Sequence, residues 1–230
     1  MSIAENLARV QERVQQAANR SGRSIDDITL VAVSKTWPVE TIEEAVQTGL
    51  QVFGENKVQE ILEKVPALPD HLHWHLIGHL QSNKIRKVLP LCEMIHSVDS
   101  LKLAQGIDRI AAELNLSPRV LIQVNVASDD AKFGFPVSEI RKCVGELNEL
   151  ENIRIEGLMT VPPFDPDPEQ VRSHFTSLRK LRDQLVESTG SPLPHLSMGM
   201  SHDFEVAIEE GATLVRVGSS IFGNRDYSTQ

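Results

Sequence analysis

The chain has 230 residues, 40% of them hydrophobic, and a formal net charge of −9. This length and apolar content suffice for a substantial core, and no long Pro/Gly/Ser-rich linker divides the chain, so we expect one domain over residues 1–230. The acidic balance disfavours nucleic-acid binding, because a phosphate backbone would be repelled. The start has no signal-peptide pattern and no stretch is apolar enough to cross a bilayer, which predicts a soluble, cytoplasmic protein without membrane contact.

The chain opens with a helical pattern. Apolar side chains recur at three- and four-residue spacing, at Ile3, Leu7, Val10 and Val14. This spacing predicts an amphipathic N-terminal helix that Gly22 can terminate.

Short apolar runs then alternate with helix-like stretches. The runs are residues 30–34, 51–54, 73–77, 94–98, 120–126, 155–159, 195–198 and 214–217. The helix-like stretches are residues 39–48, 58–65, 101–114, 137–147, 169–185 and 203–210. Such alternation requires parallel strands with right-handed crossovers, and about eight repeats favour an α/β fold of the (β/α)8 TIM-barrel type. An open doubly wound sheet is the second candidate.

Lys35 follows the first predicted strand directly. Side chains alternate along a strand, so Val31, Val33 and Lys35 share one face, opposite Leu30 and Ala32. Barrels place ligands at the carboxyl ends of their strands, which allows Lys35 to point into the mouth. An ammonium group there is costly to desolvate without a covalent or anionic partner, which suggests Schiff-base chemistry. Snorkelling of the side chain to solvent is the alternative interpretation.

Two loops near the C-terminus are candidate phosphate sites. Residues 196–203 join a predicted strand to a helix, and their glycine and serine can leave backbone N–H groups free for an anion. Gly218 and Ser219 directly follow the last predicted strand. Because a phosphate in a barrel often lies on the loops after the last two strands, the pair of loops is a stronger signal than either alone. A plain N-cap at Ser201 would explain the first loop without a ligand.

Arg216 has the strand parity of Leu214 and is predicted to point inward, where it needs an anion or an acceptor. A structural ion pair is the alternative. An inward lysine, an inward arginine and two phosphate-binding loops together suit pyridoxal 5'-phosphate (PLP), because its aldehyde needs a lysine, its phosphate needs backbone donors and its ring nitrogen needs a charged or polar partner.

Five segments carry a resemblance to a known family. They are VAVSK at 31–35, FGENKVQE at 53–60, WHLIGHLQSNK at 74–84, SMGMS at 197–201 and VRVG at 215–218. Together they closely resemble the pyridoxal phosphate homeostasis proteins, and the resemblance covers nearly the whole chain. That family is similar in fold to the barrel domain of bacterial alanine racemases. The resemblance therefore implies a barrel like the alanine racemase N-terminal domain, here with an extra N-terminal helix.

The resemblance also implies a cofactor site. Its residues are Lys35, Asn56, Ser201, Arg216, Gly218 and Ser219, and we add His75 and Met200 as neighbours of the cofactor. Lys35 would form the internal aldimine and Arg216 would face the pyridine nitrogen. Ser201, Gly218 and Ser219 would hold the phosphate, and Asn56 would line the pocket.

By the same resemblance, the protein binds PLP and maintains vitamin B6 and amino-acid balance without established catalysis. Related racemases use a tyrosine from a second domain as one base, whereas the only tyrosine here, Tyr227, lies in the polar tail. An arginine facing the pyridine nitrogen disfavours its protonation and weakens the electron sink, although racemases with this arrangement still turn over. We expect a carrier whose partners are PLP and either PLP-dependent apoenzymes or a regulatory protein. A racemase-like enzyme and a cofactor-free Schiff-base aldolase are the alternatives.

Other polar clusters predict no further site. The candidates for a metal are His71, His73, His75 and His79, but no cysteine or carboxylate triad completes a coordination set, so we expect no metal. The basic cluster is Lys84, Arg86 and Lys87, which is typical of a solvated helix face. Charged helix faces also predict a monomer.

Overall fold

The computed structural model describes residues 2–129 and 132–223. Tyr227 lies outside the described residues, so its prediction is not tested. Among the described residues, no helix combines the length and apolar character needed to span a membrane.

Parallel strands form the centre of the molecule. They are β1 (Thr29–Val33), β2 (Val52–Glu55), β3 (His73–Leu76), β4 (Met94–Val98), β5 (Arg119–Asn125), β6 (Phe135–Pro136), β7 (Arg154–Met159), β8 (His195–Met200) and β9 (Leu214–Val217). Eight of them pair in the cyclic order β1-β2-β3-β4-β5-β7-β8-β9 and back to β1, while β6 adds a short ladder to β5. The closed circuit confirms the predicted barrel, and the open sheet is wrong.

Helices surround this barrel. They are α1 (Ile3–Arg20), α2 (Val39–Gln47), α3 (Val58–Lys64), α4 (Ile85–Val88), α5 (Leu101–Leu114), α6 (Val137–Asn148), α7 (Arg172–Thr189), α8 (Phe204–Glu209) and α9 (Ser219–Phe222). The predicted opening helix is confirmed. It begins with a capping box between Ser2 and Glu5 and ends just before Gly22, which has φ of +68°.

The core has two parts, and strand alternation separates them. Ala32 and most other buried apolar residues pack between the sheet and the helices. A smaller group fills the barrel interior: Val31, Met94, Leu121, Met159 and Leu214. Val31 and Ala32 therefore point to opposite sides of β1, as the sequence predicts. Val33, the last residue of β1, shares the parity of Val31 and lines the cavity into which the barrel opens.

Candidate functional site

A cavity of about 660 Å³ opens at the carboxyl ends of the barrel strands. Seven of the eight predicted site residues line it: Lys35, Asn56, Met200, Ser201, Arg216, Gly218 and Ser219. They follow or end β1, β2, β8 and β9, so closure of the barrel brings together segments from both ends of the chain. His75 is not among the wall residues.

Lys35 lies in a turn, because β1 ends one residue earlier than predicted. β1 stops at Val33, and the backbone N–H of Ser34 still donates to the carbonyl of Gly54 over 3.1 Å. Thr36 then takes φ of +63°, which turns the chain out of the sheet. The partly buried side chain of Lys35 lines the cavity at this bend.

Ser201 connects the two candidate phosphate loops through hydrogen bonds. Its hydroxyl oxygen accepts from the backbone N–H of Gly218 over 3.2 Å and from that of Ser220 over 3.4 Å. The alternative of a plain N-cap at Ser201 is wrong, because α8 begins after Asp203. Gly218 passes close to β1, where an added Cβ would lie 3.2 Å from the carbonyl oxygen of Val33. The loop after β9 therefore lies beside the strand that carries Lys35.

Arg216 is buried in the barrel interior, as its parity predicts. It donates to the hydroxyl of Ser197 over 2.5 Å and to the carbonyl of Thr160 over 2.9 Å. The described residues give Arg216 no ion pair, so the structural ion-pair alternative is not supported. Burial lowers the pKa of Arg216 to about 10, against a smaller opposing effect of the Asp203 charge. The guanidinium therefore stays charged at neutral pH beside the cavity.

A hydrogen-bonded chain runs from Arg216 into the barrel. The Ser197 hydroxyl lies 2.9 Å from His96 Nδ1, and His96 Nε2 lies 2.9 Å from His75 Nδ1. Since arginine only donates, the Ser197 hydroxyl accepts from it, and the tautomers of the two rings set which atom donates in the two following hydrogen bonds. Burial lowers the pKa of His75 to about 4 and holds that of His96 well below its usual range. Both rings are therefore neutral at pH 7, and Arg216 alone carries charge along this chain.

The sequence interpretation missed three residues of this arrangement, namely Ser197, His96 and Thr160. Strand alternation could have identified two of them. His96 is two residues after the inward Met94, and Ser197 pairs with the inward Leu214. Thr160 acts through its backbone carbonyl, for which side-chain type gives no signal. His75 is thus an interior histidine that supports Arg216 and does not form the cavity wall.

Two of the other candidate metal ligands have acidic partners. His73 pairs with Glu93, and His79 Nδ1 lies 2.8 Å from a carboxylate oxygen of Asp99. No group of three or more His, Cys, Asp or Glu side chains in the described part of the chain is placed to hold a metal ion. In the basic cluster, Arg86 and Lys87 are exposed on α4, and Arg86 pairs with Glu113.

The fold and the site define the class of protein. The family model for the alanine racemase N-terminal domain matches residues 5–226. Alanine racemase from Clostridium difficile 630 superposes with a TM-score of 0.76 at 18% identity, over 99% of this chain and 58% of that one. At this low identity the likeness shows the shared barrel fold.

More similar proteins identify the family. The pyridoxal phosphate homeostasis protein of Aquifex aeolicus (strain VF5) is 47% identical over 99% of this chain and 100% of its own length. That of Escherichia coli (strain K12) is 42% identical over 98% of both chains. PipY of Synechococcus elongatus PCC7942, solved with PLP bound, is 39% identical with a TM-score of 0.84, over 96% of this chain and 100% of that one. The chain belongs to the pyridoxal phosphate homeostasis protein family, which confirms the resemblance drawn from its motifs.

Proposed function

We propose that the chain holds PLP in the barrel-mouth cavity and acts as a non-catalytic carrier in vitamin B6 and amino-acid homeostasis. The observation that carries this proposal is the meeting of Lys35, the Ser201–Gly218 loop pair and Arg216 in one cavity. The PLP bound to PipY, which is 39% identical, supports the same assignment.

The donor set fits each part of the cofactor. PLP supplies an aldehyde, which forms a reversible Schiff base with an amine. Lys35 offers that amine from the turn that follows β1. Ser201, Gly218 and Ser219 border the cavity on adjoining loops, and the close approach of Gly218 to Val33 puts them on the same side as Lys35. Asn56 and Met200 complete the neighbouring walls.

Arg216 favours a role in binding PLP over a role in catalysis with it. A guanidinium has only donors, so it would favour an unprotonated ring nitrogen, which weakens the cofactor as an electron sink. Its pKa near 10 keeps Arg216 charged, and the histidines behind Ser197 are neutral and so add no charge of their own. Apoenzymes that receive PLP, a regulatory protein partner, cytoplasmic location and the monomeric state remain predictions.

Loading the purified chain with PLP tests this proposal. We expect a yellow protein whose Schiff-base absorption band is lost in Lys35→Ala, because that variant lacks the Lys35 amine. Equilibrium dialysis should still detect weaker, phosphate-anchored binding to the variant. Lys102→Ala, which removes an exposed lysine of α5, is the matched control and should bind as the wild type does.

Two outcomes would contradict the proposal. A colourless wild-type chain that takes up no PLP would exclude the carrier and leave the cofactor-free aldolase as the alternative. Rapid exchange of the α-proton across a panel of amino acids, by the loaded protein, would favour the racemase-like enzyme.

A further inference from the structure

A buried ion cluster lies behind Lys35, outside the cavity wall. Lys64 Nζ is 2.7 Å from Glu55 Oε1 and 2.7 Å from Glu60 Oε2. Glu55 is 0% exposed and Lys64 is 3% exposed, although such side chains are rarely buried. Because desolvation opposes burial of an ion pair, stability alone is a weak explanation for this cluster.

The cluster contacts the residues on both sides of Lys35. Before it, Lys64 Nζ donates to the carbonyl of Ser34 over 3.0 Å, and the Ser34 hydroxyl donates to Glu55 Oε1 over 2.7 Å. After it, the backbone N–H of Thr36 donates to Glu60 Oε2. The backbone around the lysine is therefore held at two points by groups that share one ammonium.

Thr36 needs such support. Its φ of +63° lies in the left-handed region, which is unusual for a β-branched residue. Conformations of this kind persist only where the surroundings over-determine them, and they concentrate at functional sites. The Glu60 carboxylate supplies the acceptor for the Thr36 N–H in this conformation.

The two carboxyl groups of the cluster differ in how readily they hold a proton. Burial raises the pKa of Glu55, and the Ser34 hydroxyl and Lys64 both donate to its Oε1, which leaves Oε2 buried with no hydrogen-bond partner among the described residues. Burial acts in the same direction on Glu60, but hydrogen bonds from Lys64 and Thr36 outweigh it and lower the pKa of Glu60. Lys64 and Glu60 thus form the charged pair, and Glu55 is the group that more readily holds a proton.

We propose that Glu55, Glu60 and Lys64 are positioning residues for Lys35, which fix the turn at residues 34–36 so that the amine faces the cavity. This role rests on the proposed function, because it concerns how Lys35 meets the PLP aldehyde. The phosphate loops are separate from this cluster, so the cluster should govern Schiff-base formation more than anchoring of the phosphate.

Glu60→Ala is the informative variant. The Glu60 side chain is 15% exposed, so its removal leaves the more deeply buried Glu55–Lys64 pair in place. With PLP added to apoprotein, we expect the visible band to form roughly ten- to a hundredfold more slowly than in the wild type. Glu60→Gln, which retains an acceptor oxygen, should restore most of the rate. Glu63→Ala, an exposed change on the same helix, should have no effect.

Two further measurements separate positioning from general damage. In a Lys35→Ala background, Glu60→Ala should leave PLP affinity by dialysis within about threefold, because phosphate anchoring does not involve the cluster. Hydrogen exchange at the Thr36 amide should be faster in Glu60→Ala than in the wild type and should return towards the wild-type rate in Glu60→Gln, whether or not PLP is present.

The results distinguish this role from the proposed function. A wild type that takes up no PLP contradicts the proposed function, while the Thr36 exchange still decides whether Glu60 holds the turn. A Glu60→Ala variant that forms the band at the wild-type rate, or exchanges Thr36 no faster, would overturn the positioning role. Equal loss of PLP affinity with and without Lys35 would also overturn it.

Discussion

Arg216 shows how a single residue keeps its charge inside a barrel. It donates to a hydroxyl and a carbonyl, both neutral, and the Asp203 carboxylate acts on it without an ion pair among the described residues. Neutral acceptors hold the guanidinium in place without cancelling its charge. An electron-rich ring nitrogen in the cavity could therefore meet a full positive charge.

His75 is expected to make stability depend on pH. Its pKa falls from 6.5 to about 4 on burial, so the unfolded chain binds more protons between these values. The stabilisation is complete above pH 6.5 and is lost as the pH falls towards 4. Between pH 7.5 and pH 5, His75 should account for a loss of about 2 kcal/mol in the free energy of unfolding.

Urea unfolding of His75→Gln at both pH values measures this effect. The variant should lose less stability on acidification than the wild type, whereas His71→Gln, a change at an exposed histidine, should behave as the wild type does. The opposite pH dependence expected from Glu55 is common to all three proteins and cancels in the comparison. Parallel losses in the wild type and His75→Gln would show that His75 is not a buried neutral base.

At the scale of single elements, the end of β8, just before the turn to α8, depends on Gly199. This residue has φ of +91°, and an added Cβ would lie 2.6 Å from the Cβ of Ala207 and 2.9 Å from the Cα of Phe204. Both the backbone conformation and the packing of α8 exclude a side chain. The conformation at Gly199 thereby places Ser201 against the loop after β9.

Gly199→Ala should therefore destabilise the protein by about 2 to 5 kcal/mol and weaken PLP binding through displacement of Ser201. Gly145→Ala is the control, because that glycine is exposed within α6 with nothing near its added Cβ. This control should be stabilised by about 1 kcal/mol. Denaturant unfolding of both variants checks the pair, and a Gly199→Ala protein as stable as the wild type would contradict the expected clash.

The elements that the sequence predicted well are those with a clear period. Alternation along β1 and β9 correctly placed Val31 and Arg216 in the interior, and the spacing in α1 correctly predicted the N-terminal helix. Helices α4 and α9 have four residues each, too few to show a helical period. The strand β6 was missed because its two residues are too few to show strand alternation.

The ion cluster behind Lys35 could not be predicted from local sequence. Glu55 is the last residue of β2 and Lys64 is the last residue of α3, and both positions are typical of solvent-exposed charge. Only the packing of α3 against the barrel encloses them. The cluster is therefore a tertiary feature, although Glu60 and Lys64 have the four-residue spacing of a helical ion pair.

For the molecule as a whole, closure of the barrel creates the site. The first and last strands pair directly, with Val31 opposite Arg216 and Ala32 opposite Val217. This pairing brings Gly218 close to Val33 and into the cavity that Lys35 lines, although most of the chain separates Gly218 from Lys35 in sequence. A change that breaks the pairing of β1 with β9 should therefore separate Lys35 from the phosphate loops before it affects the opposite side of the barrel.

Borohydride reduction of the PLP-loaded protein, followed by peptide mass mapping, tests the central claim most directly. Reduction converts a lysine Schiff base into a stable secondary amine, which marks the residue that held the aldehyde. We expect a single pyridoxyl group, on the peptide that contains Lys35, and none on that peptide in Lys35→Ala. A label on a different lysine of the wild-type chain, or no label on a protein that has bound PLP, would contradict the assignment of Lys35.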